Sequence, residues 1–333
     1  MADNITKLID VVTPEIYNQY MNNFTAEKSA FIQSGVAVAD ERVSKNITAG
    51  GLLVHMPFWN DLTGDDEVLG DGDKALTTGK ITSSLDQAAV LYRGRGWAVN
   101  ELAGVIAGDK PMDALMAKLG AYRLRREQQA LIAVLNGLFA EKGAAEDAIA
   151  GPLNATHLNS KKTSSINAEL ILDTKQLLGD ASEQLSVIVM HSAIKTSLQK
   201  QNLIENIPNS RGEIVFQAFM GYRIVVDDGV PTFGTGASTS YQTYLLRGGS
   251  FGRNSGNPSQ LTTFETDRDS AKGNDRIFTR WALTMHPYGV KWNDSTREDG
   301  NITPTNVDLA NPANWTKVYE DKQIGIVSLI SKA

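Results

Sequence analysis

The sequence predicts an α+β fold, on three observations: one helical pattern far longer than the others, strand-like alternation on either side of it, and a middle stretch where short helices and strands take turns. The long pattern comes first. Asp109, Lys110 and Pro111 supply a helix start with proline in the first turn, no further proline interrupts through Lys142, and Gly143 offers a stop. At 1.5 Å per residue such a helix reaches roughly 50 Å, which predicts a spine laid across the molecule. Met112, Leu115, Met116, Leu119 and Tyr122 form an apolar stripe along its first half. From Leu131 through Phe139 the apolar surface spreads round the helix, so that end is expected to be buried. The spacing does not hold a heptad, which argues against a coiled coil.

Composition bounds the function. With 333 residues, 41% hydrophobic and 21% charged, the chain has the length for two or three linked domains with ordinary cores. A formal charge of −6 and a pI of 5.4 advertise neither nucleic acid nor a membrane surface. The absence of cysteine removes disulfides, thiolate nucleophiles and sulfur metal sites, and fits synthesis in a reducing cytoplasm. The opening MADNITKLID lacks the regions of a signal peptide, and no apolar run reaches the length of a membrane span.

In chain order, Thr13, Pro14 and Glu15 start a helix with Ile16, Tyr17, Tyr20, Met21 and Phe24 on one face, and a second short helical pattern runs through Phe31 and Ile32 to Gly35. This region is too small for a core of its own and reads as an arm. From Gly50 the period becomes two, in LLVHMPFW, and a return strand runs from Ile81 to Tyr92. Between them Asp61, Asp65, Asp66, Glu67, Asp71 and Asp73 stand against Lys74, interspersed with Gly64, Gly70 and Gly72. The whole is a two-stranded excursion with an acidic tip, and a long hairpin of this kind needs something to pack on.

Beyond the spine, the small and polar stretch Ala144 to Ser165 reads as a linker. A helix from Ala168 to Leu178, the strand LSVIVM, and a helix capped by Ser192 and reaching Leu203 follow. Strands are expected at Glu213 to Phe216, Tyr222 to Val226 and Tyr241 to Leu246, with a loop from Gly234 to Ser240. The final third returns to alternation in LTTFETDRD and IFTRWALTMHP, turns at Tyr288 and Gly289, and continues as VKW. Asn311 and Pro312 start a short helix around Trp315, and IGIVSLI is the last strand.

No catalytic motif, cofactor site or metal site emerges. Gly248, Ser250 and Gly252 match G-x-S-x-G after a strand, but RNSGNPSQ follows where a nucleophile elbow demands a helix. His55, His157, His191 and His286 are isolated, without metal-ligand spacing. The acidic loop lacks the D-x-D-x-D-G spacing and closing glutamate of a calcium loop. Arg93 to Gly96 is a single RGRG beside Trp97, read as a strand edge or turn. Gly234 and Gly236 lack the third glycine and helix of a dinucleotide loop. The N-x-S/T triplets carry no meaning without secretion.

Four segments of the second half carry a resemblance: VIVMHSAIKTSLQKQNLI (Val187 to Ile204), MGYRIVVDDGVP (Met220 to Pro231), RWALTMHPYGVKW (Arg280 to Trp292) and NPANWTKVYEDKQIGIVSLI (Asn311 to Ile330). Together they resemble the major capsid proteins of tailed bacteriophages, with the Hong Kong 97-type capsid fold. The N-terminal half is similar in layout. The resemblance implies an N-terminal arm (1–48), an extended loop (49–100), a peripheral domain on the spine helix (101–155) with return strands (261–333), and an axial domain (156–260).

It further implies a non-enzymatic shell protein that forms pentamers and hexamers with copies of itself and encloses double-stranded DNA by weak, non-specific contact. Separate scaffolding, portal and decoration proteins are partners by the same reasoning, since the charged helical leader of relatives with a built-in scaffold is not seen. Tyr17, Tyr20 and Phe24 of the arm and Phe58, Trp59, Asp65, Asp66 and Glu67 of the loop are the expected intersubunit contacts. Lys74 and Lys80 lie where a cross-linking lysine would stand, but no partner is specified and no cross-link is expected. The alternatives are a bacterial encapsulin, sharing the fold around enzyme cargo, and a hydrolase using Ser250.

Overall fold

The computed structural model describes residues 30–43, 47, 50–68, 76–102, 106, 111–141, 149–208, 211, 214–256, 258, 260–298 and 300–333. The first described element, α1 (Ala30–Gln33), is the second helical pattern of the predicted arm and stops at Gly35, whose φ of 81° suits only glycine well. Strand β1 (Ala37–Ala39) follows, and then β2 (Leu53–Trp59) and β3 (Ser83–Asn100) make the predicted excursion. Leu53 pairs with Ala89 and Trp59 with Ser83 in an antiparallel ladder. Pro57 is tolerated inside β2 because β2 is a sheet edge, with no second neighbour to receive the missing N–H. β3 runs on through Arg93 to Gly96, so the RGRG stretch lies within a strand.

The spine is α2 (Pro111–Phe139), 29 residues and about 44 Å long. It ends three residues before the predicted Lys142 because the chain returns to take its last carbonyls. The Gly151 N–H donates to Ala140 O at 2.8 Å, the Leu153 N–H to Leu138 O at 3.3 Å, and Asn154 Nδ2 to Ala140 O at 2.6 Å. A side chain at 151 would meet Leu138 O at 2.2 Å, so only glycine permits this cap.

The predicted linker ends differently from expectation. Residues 154 to 165 form α3 (Asn154–His157) and β4 (Leu158–Ser165), a strand disguised by its composition. As an edge strand it is held by backbone pairing with one neighbour and its side chains stay mostly exposed, so LNSKKTSS needs no apolar alternation. Next come α4 (Ala168–Lys175), β5 (Leu185–Met190), α5 (Ser192–Lys200), β6 (Ile204–Pro208), β7 (Ile214–Phe219), β8 (Tyr222–Val226), β9 (Thr232–Phe233) and β10 (Ser240–Arg247). His191, not Ser192, caps α5, its Nδ1 accepting the Ala193 N–H at 3.1 Å. Then follow β11 (Phe251–Gly256), β12 (Phe264–Asp269), β13 (Asn274–Pro287), β14 (Val290–Trp292), α6 (Asn306–Ala310), β15 (Trp315–Lys317) and β16 (Ile326–Lys332). Trp315, expected in a helix, instead opens β15 opposite Trp292, with the two indoles edge to face at 5.0 Å; the short helical turn stops at Asn314.

Among the described residues these strands build two large sheets and a separate two-stranded one, β14-β15. The first large sheet has the order β1-β11-β13-β3-β2, with β12 beside the first half of β13; the second has the order β4-β16-β10-β5-β8-β7-β6, with β9 on β10. The predicted segment boundaries therefore do not coincide with the sheets. The closing strand, expected with the return strands, lies between β4 and β10, and β11, expected in the axial segment, belongs to the first sheet. Pairing of strands distant in sequence decides both placements.

The middle strands of the second sheet, β16, β10 and β5, are buried on both faces. Val187, Val189, Tyr244, Leu246 and Ile326 point to a core shared with α2, while Ile188, Met190, Leu245, Val327 and Leu329 point to a core under α4 and α5. That is why LSVIVM and IGIVSLI are continuous apolar runs. The last turns of α2, from Ala130 to Phe139, sit between the two sheets, touching Leu91, Phe251 and Met285 of the first sheet and the Val187 face of the second. All-round burial of this end, as predicted, contributes about 1.5–3 kcal/mol per large side chain. Among the described residues no helix is long and apolar enough to cross a membrane.

Candidate assembly surface

The outer hairpin is where apolar surface is left uncovered. Alternation along β2 turns Val54, Met56 and Phe58 inward and His55, Pro57 and Trp59 outward. Phe58, expected to contact a neighbour, is partly used within its own chain, packed edge to face on Tyr319 at 4.6 Å. Trp59 is 68% exposed. Beyond it the chain stays tied for one more step, with the Asn60 N–H donating to Thr82 O at 2.9 Å, and then opens into the acidic loop.

In that loop Asp65 and Asp66 are exposed and, among the described residues, have no cationic partner. Glu67 is engaged locally by the hydroxyl and N–H of Thr77, so it holds the loop's own shape. Leu62, Val68, Leu76 and Ile81 are also exposed, a set the sequence reading passed over. Their signal was available: apolar residues without periodicity in a glycine-rich acidic stretch have no internal core to enter. Tyr17, Tyr20 and Phe24 lie outside the described residues, as does Lys74. A second uncovered patch, Ile214 and Val215 on β7, was missed because consecutive residues on opposite faces read simply as a strand.

The roots of these extensions are firmly held. β1 lies parallel on β11, pairing Ala37 with Phe251, and Asp40 accepts hydrogen bonds from Arg42 (Nη2 at 2.7 Å) and from the Tyr288 hydroxyl. The Arg42 guanidinium holds the Asp40 carboxyl at about 2, and burial pushes the Tyr288 hydroxyl up. At the hairpin's base His286 Nε2 and Asp86 Oδ1, both side chains 1% exposed, meet at 2.9 Å and join β13 to β3. The spine is tied to the first sheet by the buried Arg253–Glu127 pair, whose Nη2–Oε2 arm is 3.2 Å.

Ser250 does not form a nucleophile elbow: it is buried, its hydroxyl has no hydrogen-bond partner among the described residues, and the chain continues into β11 rather than a helix. Among the described residues no three His, Asp or Glu gather as metal ligands. His157 is buried against Asp321 O at 3.0 Å, and its desolvation lowers its pKa.

A profile of the Gp13-like family, described as major capsid protein 13-like, matches residues 106–325. The major capsid protein of Bacillus phage SPP1 is 36% identical over 326 residues, covering 97% of each chain. The chain belongs to the Gp13-like major capsid protein family. Among solved structures, the capsid of Ralstonia phage GP4 superposes on this capsid protein with a TM-score of 0.58 at 12% identity, over 92% of each chain. Mycobacterium phage Bobi gives 0.53 at 11% identity, over 92% of this chain and 91% of that one. At such identities the two show the fold alone, the Hong Kong 97-type fold of tailed-phage capsids. Family and relative together decide the choice between shells in favour of a phage coat over an encapsulin.

Proposed function

We propose that copies of this capsid protein close into an icosahedral shell of pentamers and hexamers around the double-stranded DNA of a tailed bacteriophage, with the outer hairpin of each subunit lying on a neighbour. The observation that carries this is the exposed apolar surface of the hairpin, with Trp59 at 68%, Leu62 at 75% and Val68 at 87% exposure on a segment that has no core beneath it. Uncovered surface of this kind marks an interface, and a stable one buries about 1,600 Å² in total. Residues 49–100 serve as the extended loop, 156–260 as the axial domain, and 101–155 with 261–333 as the peripheral domain, except that β11 joins the peripheral sheet and β16 the axial one. Residues 1–48 are the arm that crosses to neighbours.

The bulk charge of −6 suits a wall that holds DNA weakly and without sequence preference. Separate scaffolding, portal and decoration proteins complete the particle, and assembly takes place in the host bacterial cytoplasm, where a cysteine-free chain needs no oxidation. Electron microscopy of the purified full chain, alone and with its scaffold, tests the reading. Closed particles are expected; a protein that stays monomeric at high concentration with scaffold present overturns it.

A further inference from the structure

A cavity of about 240 Å³ opens between the middle of α2, the first sheet and the start of α6. Its walls are Arg93 and Trp281, paired across β3 and β13, Tyr122 and Arg126 from the spine, and Thr305 and Asn306. Arg93 lies at the floor, half-buried, and Arg126 at the exposed rim. Neither has a carboxylate partner among the described residues: Arg93 Nη2 donates to Asn306 Oδ1 at 3.1 Å and Arg126 Nη1 to Gln129 Oε1 at 2.6 Å, both neutral.

Glu127, which also lines the cavity, has both its oxygens committed to Arg253. The aromatic walls are themselves in contact with guanidinium groups, Arg126 over Tyr122 at 5.8 Å and, from behind the cavity lining, Arg123 over Trp281 at 5.7 Å. Asp308 acts on Arg93 through space, while its oxygens accept hydrogen bonds from Thr305 and from the Glu298 N–H. Burial, and to a lesser extent the neighbouring Arg126, hold the Arg93 pKa down against the opposing pull of Asp308. Two guanidinium groups converging on a partly desolvated cavity with aromatic walls make a receptor for a carboxylate.

The geometry points to the Asp65–Asp66 carboxylates of a second copy of this chain as the occupant, an assignment that rests on the shell reading above. Charge complementarity selects the segment, since these two acids are exposed and unpaired among the described residues. Reach excludes the subunit's own loop. The acidic stretch leaves the hairpin beyond Trp59 and Ser83, and Ser83 lies ten strand residues, roughly 33 Å, before Arg93. Only the loop of another copy arrives from outside.

The absence of cysteine makes the test clean. The double variant Arg126→Cys with Asp66→Cys is assembled as the full chain and treated with a short bis-maleimide, because a pair of long side chains holds Cα atoms beyond the ~7 Å that a disulfide spans. A ladder of linked copies on a denaturing gel is expected, with each single-cysteine variant giving no product beyond a dimer. Shells that form without a ladder overturn the assignment.

If the double variant gives no shells, Arg126→Ala decides, since an exposed side chain is removed without touching the core. A fall of about tenfold or more in particle yield, with unchanged circular dichroism, supports the contact, and normal yield overturns it. Particles of Arg126→Ala that form normally but retain less DNA assign the pocket to backbone phosphate and overturn it equally. Failure of the parent protein to form any particle tells against the shell reading instead.

Discussion

The inner end of the spine and the outer end of the hairpin use the same kinds of side chain to opposite effect. Around Leu131 to Phe139 every large apolar residue is enclosed by two sheets of its own chain, while Trp59, Leu62 and Val68 at the hairpin's end are enclosed by nothing within the subunit. The contrast separates two tasks. The first region makes the subunit fold, and its contacts are complete before any neighbour arrives. The second leaves apolar area exposed, the area that the proposed assembly would cover. A mutation in one should therefore unfold the subunit, and a mutation in the other should leave a folded subunit that fails to assemble.

The sharpest way to break that contrast is to strike the spine's buried ion pair. Glu127→Ala leaves Arg253 charged and buried, which should destabilise the unassembled subunit by about 3–5 kcal/mol, read as a lower urea midpoint. A midpoint unchanged from the parent would mean that the spine is not closed off from water as the structure shows. Gly137→Ala comes next. Its methyl group would meet Leu309 O at 2.2 Å and Trp315 Nε1 at 2.7 Å, where α2 and α6 touch, and should cost about 1–3 kcal/mol by the same measurement. Tolerance of alanine there would show that α6 is free to move off the spine.

A smaller effect is expected at the root of the arm. The Asp40 carboxyl is lowered from 3.8 to about 2 in the folded subunit, so its contribution is present above pH ~4 and is lost as the pH falls through the folded value. Because Arg42 is 66% exposed, the contribution is screened to about 1 kcal/mol. Asp40→Asn should thus lower stability at pH 6, by an amount that shrinks as the pH falls and vanishes only well below pH 2. A stability gap that does not narrow in acid would show that the charge is not the cause.

The smallest effect on the subunit belongs to the hairpin. Trp59→Ala should change the unfolding free energy read from urea titration by no more than about 0.5 kcal/mol, yet reduce the yield of closed particles more than Asp66→Ala does, because an aromatic anchor buries more area than one carboxylate. Equal yields for the two, or an unfolded Trp59→Ala subunit, would remove the division of tasks.

Local pattern by itself determined much of this protein. The spine, with proline at its start and its apolar surface widening after Leu131, was legible residue by residue. So were LSVIVM, IFTRWALTMHP and IGIVSLI, because continuous or alternating apolar runs follow directly from burial on two faces or one. The capsid resemblance rested on the same second-half segments. Of the exposed hairpin surface proposed for assembly, Trp59, Asp65 and Asp66 were legible as unaccompanied groups on a hairpin.

Only the tertiary structure decided what depends on partners far away in the chain. LNSKKTSS is a strand because β16 offers it a backbone edge, and nothing in its own composition says so. β16 itself enters the second sheet through pairing with β10, across some eighty residues of sequence. Phe58 and Trp59 are neighbours of the same chemical class, yet Tyr319 covers the first and leaves the second exposed. The arginine cavity brings together β3, α2, β13 and α6, whose cationic residues look unrelated in the sequence. Periodicity reports which face of an element is buried; it carries no information about which distant element buries it, and that choice fixes the charges that end up paired or waiting.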